Sequence, residues 1–465
     1  MNDLTREELM SIVLSQREQL AAVEKELGCL RSANERLEKE NAELRAKLGM
    51  GVGATPSSAD WVKPNRAERR AAEREERKKR KQAFVRKRDI ATREVRHAVD
   101  ICPDCGGKLK GGWIAWTRQT IEIPHTPAEM INHVVVARKC PFCGKVHTPK
   151  LGAAEGVIGK SRIGPRLMSL IATLAIAKRM PQRSIQRLLE GLYGIHISLG
   201  EITHILHKVA EFARPTFQWI LRRIRGSPVA HADETGWRED GINGYLWSLS
   251  TQELRYFHFN RSRASAVPKG LLGMCFGGVL ICDFYGGYNF YEGPIQRCWV
   301  HYLRDLKKLL EANPDNKSVR EWVELVRAIY TIAKKIAERG FSEAVRTSLR
   351  QELEAKLLKA AEPFLKDKSA PQRVLAQRIE KHLGEMFTFV QYPGCPSGNN
   401  AAERAIRPAV IARKVSGGTR SENGSRTRTT LMSVFGTWTL QGKDLLTACT
   451  DLILQAQTTN PITAQ

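Results

Sequence analysis

Two short apolar runs of this sequence each lead into acidic side chains. The stretch VAHADETGW carries Asp233 and Glu234 side by side, and GGVLICDFYGGYN carries Asp283. Both runs are typical of strands, and we expect each strand to end near its Asp. Carboxylates at adjacent strand ends can share hard cations, and Mg²⁺ binds one or two carboxylates together with phosphate oxygens of a substrate. The pattern therefore predicts a metal site that acts on phosphates.

A third acidic candidate lies in the later stretch PSGNNAAERAIRP. Asn400, Glu403 and Arg407 are three and four residues apart, which places them on one face of a helix. Lys414 lies on the same face if the helix continues past Pro408, a residue that could kink it. A Glu beside cations can bind metal while the cations hold phosphates. A single Glu is also common in a surface ion pair, so this pattern alone leaves both interpretations open.

The segments around these acids alternate between strand and helix patterns. GYLWSLS and LRYFHFN predict two further strands joined by a polar turn, and SRASAVPKGLLG predicts a short helix. Residues 303–390 are strongly helical and read as an inserted helical region between Asp283 and Glu403. We therefore expect a sheet that carries the two Asp residues and a helix that carries the Glu.

The charge of the chain indicates a polyanionic partner. Lys and Arg number 74 against 49 Asp and Glu, a formal net charge of +25. Basic residues that neutralise phosphates release counterions, so nucleic acid is favoured over a merely charged surface. There is no apolar run long enough for a membrane span, and MNDLTREELM has no apolar signal core, so we expect a cytoplasmic, nucleoid-associated protein. Ten cysteines in such a compartment favour metal sites over disulfides.

The N-terminal 48 residues predict a coiled coil followed by a basic arm. Val23 and three leucines repeat every seven residues, and a second heptad series includes Asn34 and Asn41, polar residues that specify register in parallel dimers. Packing within one chain is the alternative. Residues 61–97 then hold 15 Lys and Arg against 6 Asp and Glu. This arm, with Lys78, Lys79 and Arg80, is predicted to follow phosphates rather than read bases, although a solvated helical face would look similar.

Two matching CxxC motifs predict a zinc ribbon. CPDCGG and CPFCGK place paired thiolates on tight turns that could face one structural Zn²⁺ and leave no open position. The intervening QTIEIP and HVVVARK could form a hairpin that brings the motifs together. A redox function is the alternative, and His147 could replace one thiolate. The four predicted ligands are Cys102, Cys105, Cys140 and Cys143.

Residues 160–225 predict a helical segment that could bind DNA. Pro181 suits the start of one helix, and Ser198 could cap the next. The pattern is compatible with a helix-turn-helix whose second helix enters a major groove, and an ordinary helical hairpin would give the same pattern.

HADETGW, CDFYGGY, CWVHYLRDLKKL, GNNAAERAIRP and RKVSGGTRSENGSRT together resemble the DDE transposases of insertion-sequence family sixty-six. The resemblance extends over nearly the whole chain, including the zipper and the zinc-binding segment. It implies a ribonuclease-H-like fold with a helical insertion, and it carries the acidic triad onto Asp233, Asp283 and Glu403. Asp233 rather than Glu234 joins the triad because neighbouring strand residues point to opposite faces.

The resemblance also implies how the chain acts. The triad would hold two Mg²⁺ ions, with Mn²⁺ as a substitute, and would cleave double-stranded DNA at inverted-repeat ends and transfer it to target DNA. Cys298 and His301 form a CxxH motif, which would need two more ligands to hold a second metal and is expected instead to buttress the catalytic strand. Asn399 and Asn400 are expected to cap the helix of Glu403. VSGGTRSENGSRTRTT is a candidate phosphate-contacting loop or a solvated turn. The predicted DNA-binding residues of the catalytic region are Arg407, Arg413, Lys414, Arg420 and Arg426.

The expected fold class is multidomain α+β. The expected partners are DNA, further copies of the chain in a homodimer or higher oligomer, and small accessory proteins of the same element. No membrane partner is expected. A DNA-binding regulator without catalytic activity and a general nuclease are the alternatives. The predicted domains are a coiled coil (1–48), a basic arm (49–97), a zinc ribbon (98–150), a helical DNA-binding segment (151–227), a ribonuclease-H-like α/β catalytic domain with an all-helical insertion (228–440, insertion about 303–395), and a C-terminal helix and tail (441–465).

Overall fold

The structure is a computed structural model that describes residues 90–123 and 127–459. It divides into two compact units, one within residues 1–121 and one within 122–465. The predicted coiled coil lies outside the described residues, and so do Lys78, Lys79 and Arg80 of the basic arm.

A mixed five-stranded sheet forms the centre of the second unit. Its strands are β3 (Val229–Glu239), β4 (Ile242–Ser250), β5 (Arg255–Asn260), β6 (Val279–Cys282) and β7 (Ile295–Arg297), in the spatial order β5-β4-β3-β6-β7. β3, β4 and β5 pair antiparallel, whereas β6 is parallel to both β3 and β7. This topology is consistent with the expected ribonuclease-H-like region. β7 was not predicted from the sequence.

Local sequence explains the shape of the two central strands. Asp240 and Gly241 join β3 to β4, and both have positive φ, as a two-residue hairpin turn requires. β6 has the sequence VLIC and is buried along its whole length, as expected for a parallel strand covered on both faces. Because its side chains alternate, β6 separates the two cores of the unit: Leu280 and Cys282 pack into one, and Val279 and Ile281 into the other.

Helices cover each side of the sheet. The first core includes α1 (Pro165–Ile176), α2 (Gln182–Tyr193) and α3 (Leu199–Arg225), which precede the sheet, together with α11 (Glu422–Leu440) and α12 (Leu445–Thr459). The second core is built by the predicted insertion, whose helices are α5 (Trp299–Ala312), α6 (Lys317–Ala337), α7 (Glu343–Ala361), α8 (Arg373–Met386) and α9 (Thr388–Gln391). The short α4 (Ala266–Leu272) lies between β5 and β6, and α10 (Asn400–Ser416) follows the insertion.

The helical segment before the sheet shares its core with the sheet. α3 begins as predicted, because the Ser198 hydroxyl accepts a hydrogen bond from the Glu201 backbone N–H at 3.0 Å. One face of α3 buries Ile202, Ile205 and Val209 in the first core. A separate DNA-binding role for this segment stays a prediction.

Three local predictions need correction. β3 continues to Glu239, so Asp233 lies inside the strand and not near its end. The hairpin that QTIEIP and HVVVARK could form is not seen in the described residues: residues 119–123 form no strand, and the pairing found is β1 (Arg138–Lys139) with β2 (Val146–His147), around the second CxxC motif. The segment 415–430 is only partly a loop, because α11 begins at Glu422.

Candidate active site

Asp233 lies in the middle of the central strand, opposite Ser248 of β4. One of its carboxylate oxygens, Oδ1, accepts a hydrogen bond from the Glu234 backbone N–H at 2.9 Å. Burial raises the pKa of Asp233 to about 7, and the negative charges of Glu234, Asp283 and Glu403 add to the effect. Asp233 therefore stands where several negative charges converge, as a cation site requires.

Asp283 follows β6 directly and lies beside Asp233. β3 and β6 pair in parallel with His231 opposite Ile281, and each Asp comes two residues after its member of that pair. Because side chains alternate along a strand, the same register directs both carboxylates to one face. The Tyr285 backbone N–H donates to Asp283 Oδ1 at 2.9 Å and holds it in place.

A buried arginine supports the backbone at Asp283. Arg297, at the end of β7, is fully buried and donates to the backbone oxygen of Asp283 at 2.8 Å and to Asn289 Oδ1 at 2.6 Å. Glu385 of the helical insertion pairs with Arg297 at 2.5 Å and with His382 at 2.9 Å. Burial disfavours the charge of Glu385, but the hydrogen bonds from His382 and Arg297 outweigh it and lower the pKa of Glu385. The insertion thus reaches the loop that carries Asp283.

Glu403 lies in the first turn of α10 and pairs with the insertion. Arg304 of α5 donates to both of its carboxylate oxygens, at 2.9 and 3.2 Å, and His301 Nε2 lies 3.7 Å from Oε1. α10 continues through Pro408 to Ser416, so the helical face predicted for Lys414 exists. Glu403 is close enough to raise the pKa of Asp233 through its charge, while its hydrogen bonds go to Arg304.

Asn399 stands at the N-cap of α10, as predicted, but its side chain makes no capping bond. The fully buried side chain instead meets His231 Nδ1 at 3.0 Å and donates to the backbone oxygen of Ala232 at 2.7 Å. Its backbone N–H donates to Cys298 Sγ at 3.0 Å. Asn399 therefore joins α10 to the strand of Asp233 and to the start of α5. The neighbouring Asn400 is exposed.

Glu234 belongs to a different network from Asp233. Its side chain is 3% exposed and accepts from Arg263 at 2.7 Å and from the Tyr288 hydroxyl at 2.6 Å. The guanidinium of Arg263 also lies 4.0 Å from the centre of the Tyr285 ring, and Tyr285 donates to the backbone oxygen of Arg263 at 2.6 Å. Glu234 thus links the residues after β5, through Arg263, to the segment that follows Asp283, through Tyr288.

The predicted DNA-binding residues divide into exposed cations and one structural arginine. Arg413 donates to the Gly236 backbone oxygen and to Thr235 Oγ1 at 3.5 Å, so it fastens α10 to β3. Arg426 is exposed and pairs with Glu422 at 2.8 Å. Arg407, Lys414 and Arg420 are also exposed.

The loop after α10 docks on the end of β3. Thr419 donates its backbone N–H to the Arg238 oxygen at 2.9 Å and accepts from Trp237 Nε1 at 3.1 Å. Gly418 has a φ of 120°, and a Cβ there would lie 2.1 Å from the Arg238 oxygen. Only glycine fits this approach.

Each CxxC motif forms a tight turn in its own unit. In the first, the Cys102 backbone N–H donates to Gly107 at 2.9 Å, and Gly106 has a φ of 71°. In the second, Cys140 donates to Lys145 at 2.8 Å, and Gly144 has a φ of 70°. Backbone hydrogen bonds, from Cys105 to the first thiol and from Cys143 to the second, lower the pKa of Cys102 and Cys140. Both turns suit thiolate ligands, and their joint binding of one Zn²⁺ stays a prediction.

Sequence reasoning missed Arg263, Arg297 and Arg304, which hold the acids or the loops around them. Each lies far along the chain from its acidic partner, and the chain carries many other arginines. Of the three, Arg304 alone had a signal in the sequence, because it lies close along the chain to Cys298 and His301, which were predicted to support the catalytic strand.

Comparison with known proteins decides the family. The model of the "Transposase IS66 family" matches residues 160–427, more than half of the chain, and this range contains all three acids. The chain belongs to the IS66 transposase family. This confirms the expected family and supports a transposase-related function.

Two relatives come from Sinorhizobium fredii (strain NBRC 101917 / NGR234). Uncharacterized protein y4jO is 29% identical over 172 residues, which are 36% of this chain and 49% of the relative. Uncharacterized protein y4qI is 24% identical over 314 residues, which are 60% of this chain and 57% of the relative. The matched regions thus span about half the length of these relatives. Within the described part of the chain, no helix has the length and apolar character that crossing a membrane demands.

Proposed function

We propose that this chain is the transposase of a bacterial insertion sequence, which binds the inverted-repeat ends of its element and cleaves and joins DNA with Asp233, Asp283 and Glu403. The observation that carries the proposal is the parallel register of β3 and β6, which places Asp233 and Asp283 side by side two residues past their last pair, with the charge of Glu403 acting on Asp233. Such a convergence of carboxylates is unfavourable by itself and becomes favourable when cations bind. Membership of the transposase family supports the assignment.

The three acids supply the donor type of a hard divalent cation, and their oxygens do not all lie within 4.8 Å of one another in the described structure. Asp233 and Asp283 offer carboxylate oxygens on one face of the sheet, and Glu403 supplies a third within electrostatic range. Carboxylates are the ligands that Mg²⁺ prefers. Bound Mg²⁺, or Mn²⁺ in its place, supplies the positive charge that stabilises the attacking and leaving oxygens of a phosphodiester displacement.

The chain's own residues position the reactants. Tyr285 and Arg297 fix the carboxylate and the backbone of Asp283, and Asn399 ties the helix of Glu403 to the strand of Asp233. Arg407 and Lys414 are exposed on the helix that carries Glu403 and can hold DNA phosphates next to the acids. Water, and then a DNA 3′-hydroxyl, would act as successive nucleophiles.

The test is cleavage and strand transfer of a duplex that carries the ends of the encoding element, in Mg²⁺ or Mn²⁺. Asp233→Asn, Asp283→Asn and Glu403→Gln should each lower the rate by at least about 10³-fold, since each removes charge used in the transition state. Gel-shift affinity for the same duplex should change less than about twofold. Asp240→Asn is the matched control, because Asp240 is exposed in the β3–β4 turn.

A DNA-binding regulator is the second candidate, favoured by the pairing of both Glu403 carboxylate oxygens with Arg304, which engages the lone pairs that a metal ligand would use. End binding without cleavage in either metal would support the regulator and refute the transposase. Cleavage that survives all three substitutions would refute the assigned residues.

A further inference from the structure

Cys298, His301 and Glu403 form a cluster that the proposed Mg²⁺ site does not explain. One candidate ligand atom from each lies within 4.8 Å of the others, and the part of the chain that the structure describes has no other such group of three. Cys298 is the N-cap of α5, His301 lies in its first turn, and Glu403 comes from the first turn of α10. Two rigid helix starts therefore hold the three side chains together.

The surroundings of Cys298 and Glu403 suit metal ligands. The sulfur of Cys298 is buried at the N-terminus of α5 and accepts a backbone N–H from Asn399 at 3.0 Å. Burial raises the pKa of this thiol, so a bound cation is what would favour the thiolate there. Arg304 lies nearer to Glu403 Oε2, at 2.9 Å, than to Oε1, at 3.2 Å. Oε1 is the oxygen that faces His301, so Arg304 orients the carboxylate toward the cluster.

His301 provides an independent sign that a ligand is missing. Its ring nitrogen Nδ1 is buried and has no hydrogen-bond partner among the described residues. A buried nitrogen without a hydrogen-bond partner costs free energy, and native proteins rarely contain one. The other nitrogen, Nε2, is 3.7 Å from Glu403 Oε1, too far for a hydrogen bond. Both ring nitrogens are thus poorly satisfied by the protein itself.

We propose that Cys298, His301 and Glu403 bind a thiophilic divalent cation, Zn²⁺, at a site separate from the predicted zinc ribbon and from the Asp233 and Asp283 carboxylates. Thiolate, imidazole and carboxylate are the donors that Zn²⁺ takes, and three of them leave one coordination position open. Mg²⁺ discriminates against sulfur, so the two cations select different ligand sets. The thiol of Cys298 gives its proton to solvent when the bond to zinc forms.

Zinc at this site would compete for Glu403. This consequence rests on the proposed function, in which Glu403 completes the triad. A carboxylate oxygen bound to zinc beside His301 is withdrawn from the Mg²⁺ ligands, so micromolar Zn²⁺ should inhibit Mg²⁺-dependent cleavage. Replacing Cys298 by Ser should weaken that inhibition at least about tenfold, since a hydroxyl is a much poorer zinc ligand than a thiolate.

The binding test counts zinc in the full-length chain after dialysis against a zinc buffer, by atomic emission. Cys298→Ser and His301→Gln should each lose one zinc per chain relative to wild type, whatever the ribbon binds. Cys449→Ser is the matched control, because Cys449 is buried in the first core and outside the cluster, and it should keep the wild-type count. In Co²⁺-loaded protein, the thiolate charge-transfer band should fall in Cys298→Ser and stay in Cys449→Ser.

An unchanged zinc count in Cys298→Ser and His301→Gln would overturn the inference. Circular dichroism checks that each variant folds. If Cys298→Ser does not fold, His301→Gln decides the question, because His301 is partly exposed and its replacement disturbs the core less. The two proposals fail separately. If wild type cleaves DNA in Mg²⁺ but the two variants keep the wild-type zinc count, only the zinc site is overturned. If the variants lose zinc but wild type does not cleave DNA, only the transposase proposal is overturned.

Discussion

Replacing Asp233 by Asn should stabilise the metal-free protein above neutral pH. The fold raises the pKa of Asp233 from its ordinary value of 3.8 to about 7, so the ionised carboxylate is disfavoured in the folded chain. Each pKa unit corresponds to about 1.4 kcal/mol, which gives an upper value of about 4 kcal/mol. Asp233 is partly exposed, and screening by solvent reduces the expected gain to about 2 kcal/mol.

The gain should depend on pH in one direction. Below about pH 4 the carboxyl is protonated in both the folded and the unfolded chain, and the substitution should then matter little. Between about 4 and 7 the folded chain keeps a proton that the unfolded chain releases, so wild-type stability falls as the pH rises. Above about 7 the whole penalty is present. Asn carries no charge and avoids this loss.

Urea unfolding at pH 5, 6, 7 and 8, in buffer without divalent cations, measures the difference. The free energy of unfolding of Asp233→Asn should exceed that of wild type increasingly up to pH 8, while Asp240→Asn follows the wild-type profile. Adding Mg²⁺ should stabilise wild type and narrow the gap, because a ligand that binds only the folded state stabilises it. A difference that is independent of pH, or a variant less stable than wild type at pH 8, would refute the electrostatic reasoning.

Three further substitutions and one control substitution test the framework around the acids by urea unfolding. Gly418→Ala should lower the free energy of unfolding by at least about 2 kcal/mol, because its Cβ would meet the Arg238 oxygen. The control Gly191→Ala, in open space on α2, should leave the free energy of unfolding unchanged or raise it by up to about 1 kcal/mol. Equal effects of these two substitutions would contradict the reasoning. Glu385→Gln should cost about 3 kcal/mol by leaving the buried Arg297 without its carboxylate, and an unchanged midpoint would argue against the pair. Asn399→Ala should cost about 2–4 kcal/mol by leaving two buried partners unsatisfied, and a loss under 1 kcal/mol would show that water replaces the amide.

Features set by neighbouring residues could be predicted from the sequence. The run VLIC, the cap at Ser198 and the short helix α4 each follow from contacts within one element. The strands β4 and β5 were predicted for the same reason, since alternating side chains report one buried face. β7 was missed because a strand of three residues carries too little pattern to be recognised.

The three acids of the candidate site were chosen from the sequence, but the residues that hydrogen-bond to them and to their loops were not. Asp233 and Asp283 follow apolar runs that mark strands, and the family resemblance selected Glu403. The length of β3 was misjudged because its second half depends on pairing with β4 across the Asp240–Gly241 turn. Asn399 occupies the predicted cap position, but its amide bonds to a strand more than 160 residues earlier in the chain.

The sequence by itself determined the family, the alternation of strands and helices around the acids, and the positions of the two CxxC turns, because these depend on residue types at short spacing. Tertiary structure decided which charges meet. Arg304 turns Glu403 toward Cys298 and His301, Arg297 ties the insertion to Asp283, and parallel pairing of β3 with β6 sets the two Asp residues side by side. These contacts depend on how elements that are distant in the sequence pack together, and a long basic chain offers each acid many possible Lys and Arg partners.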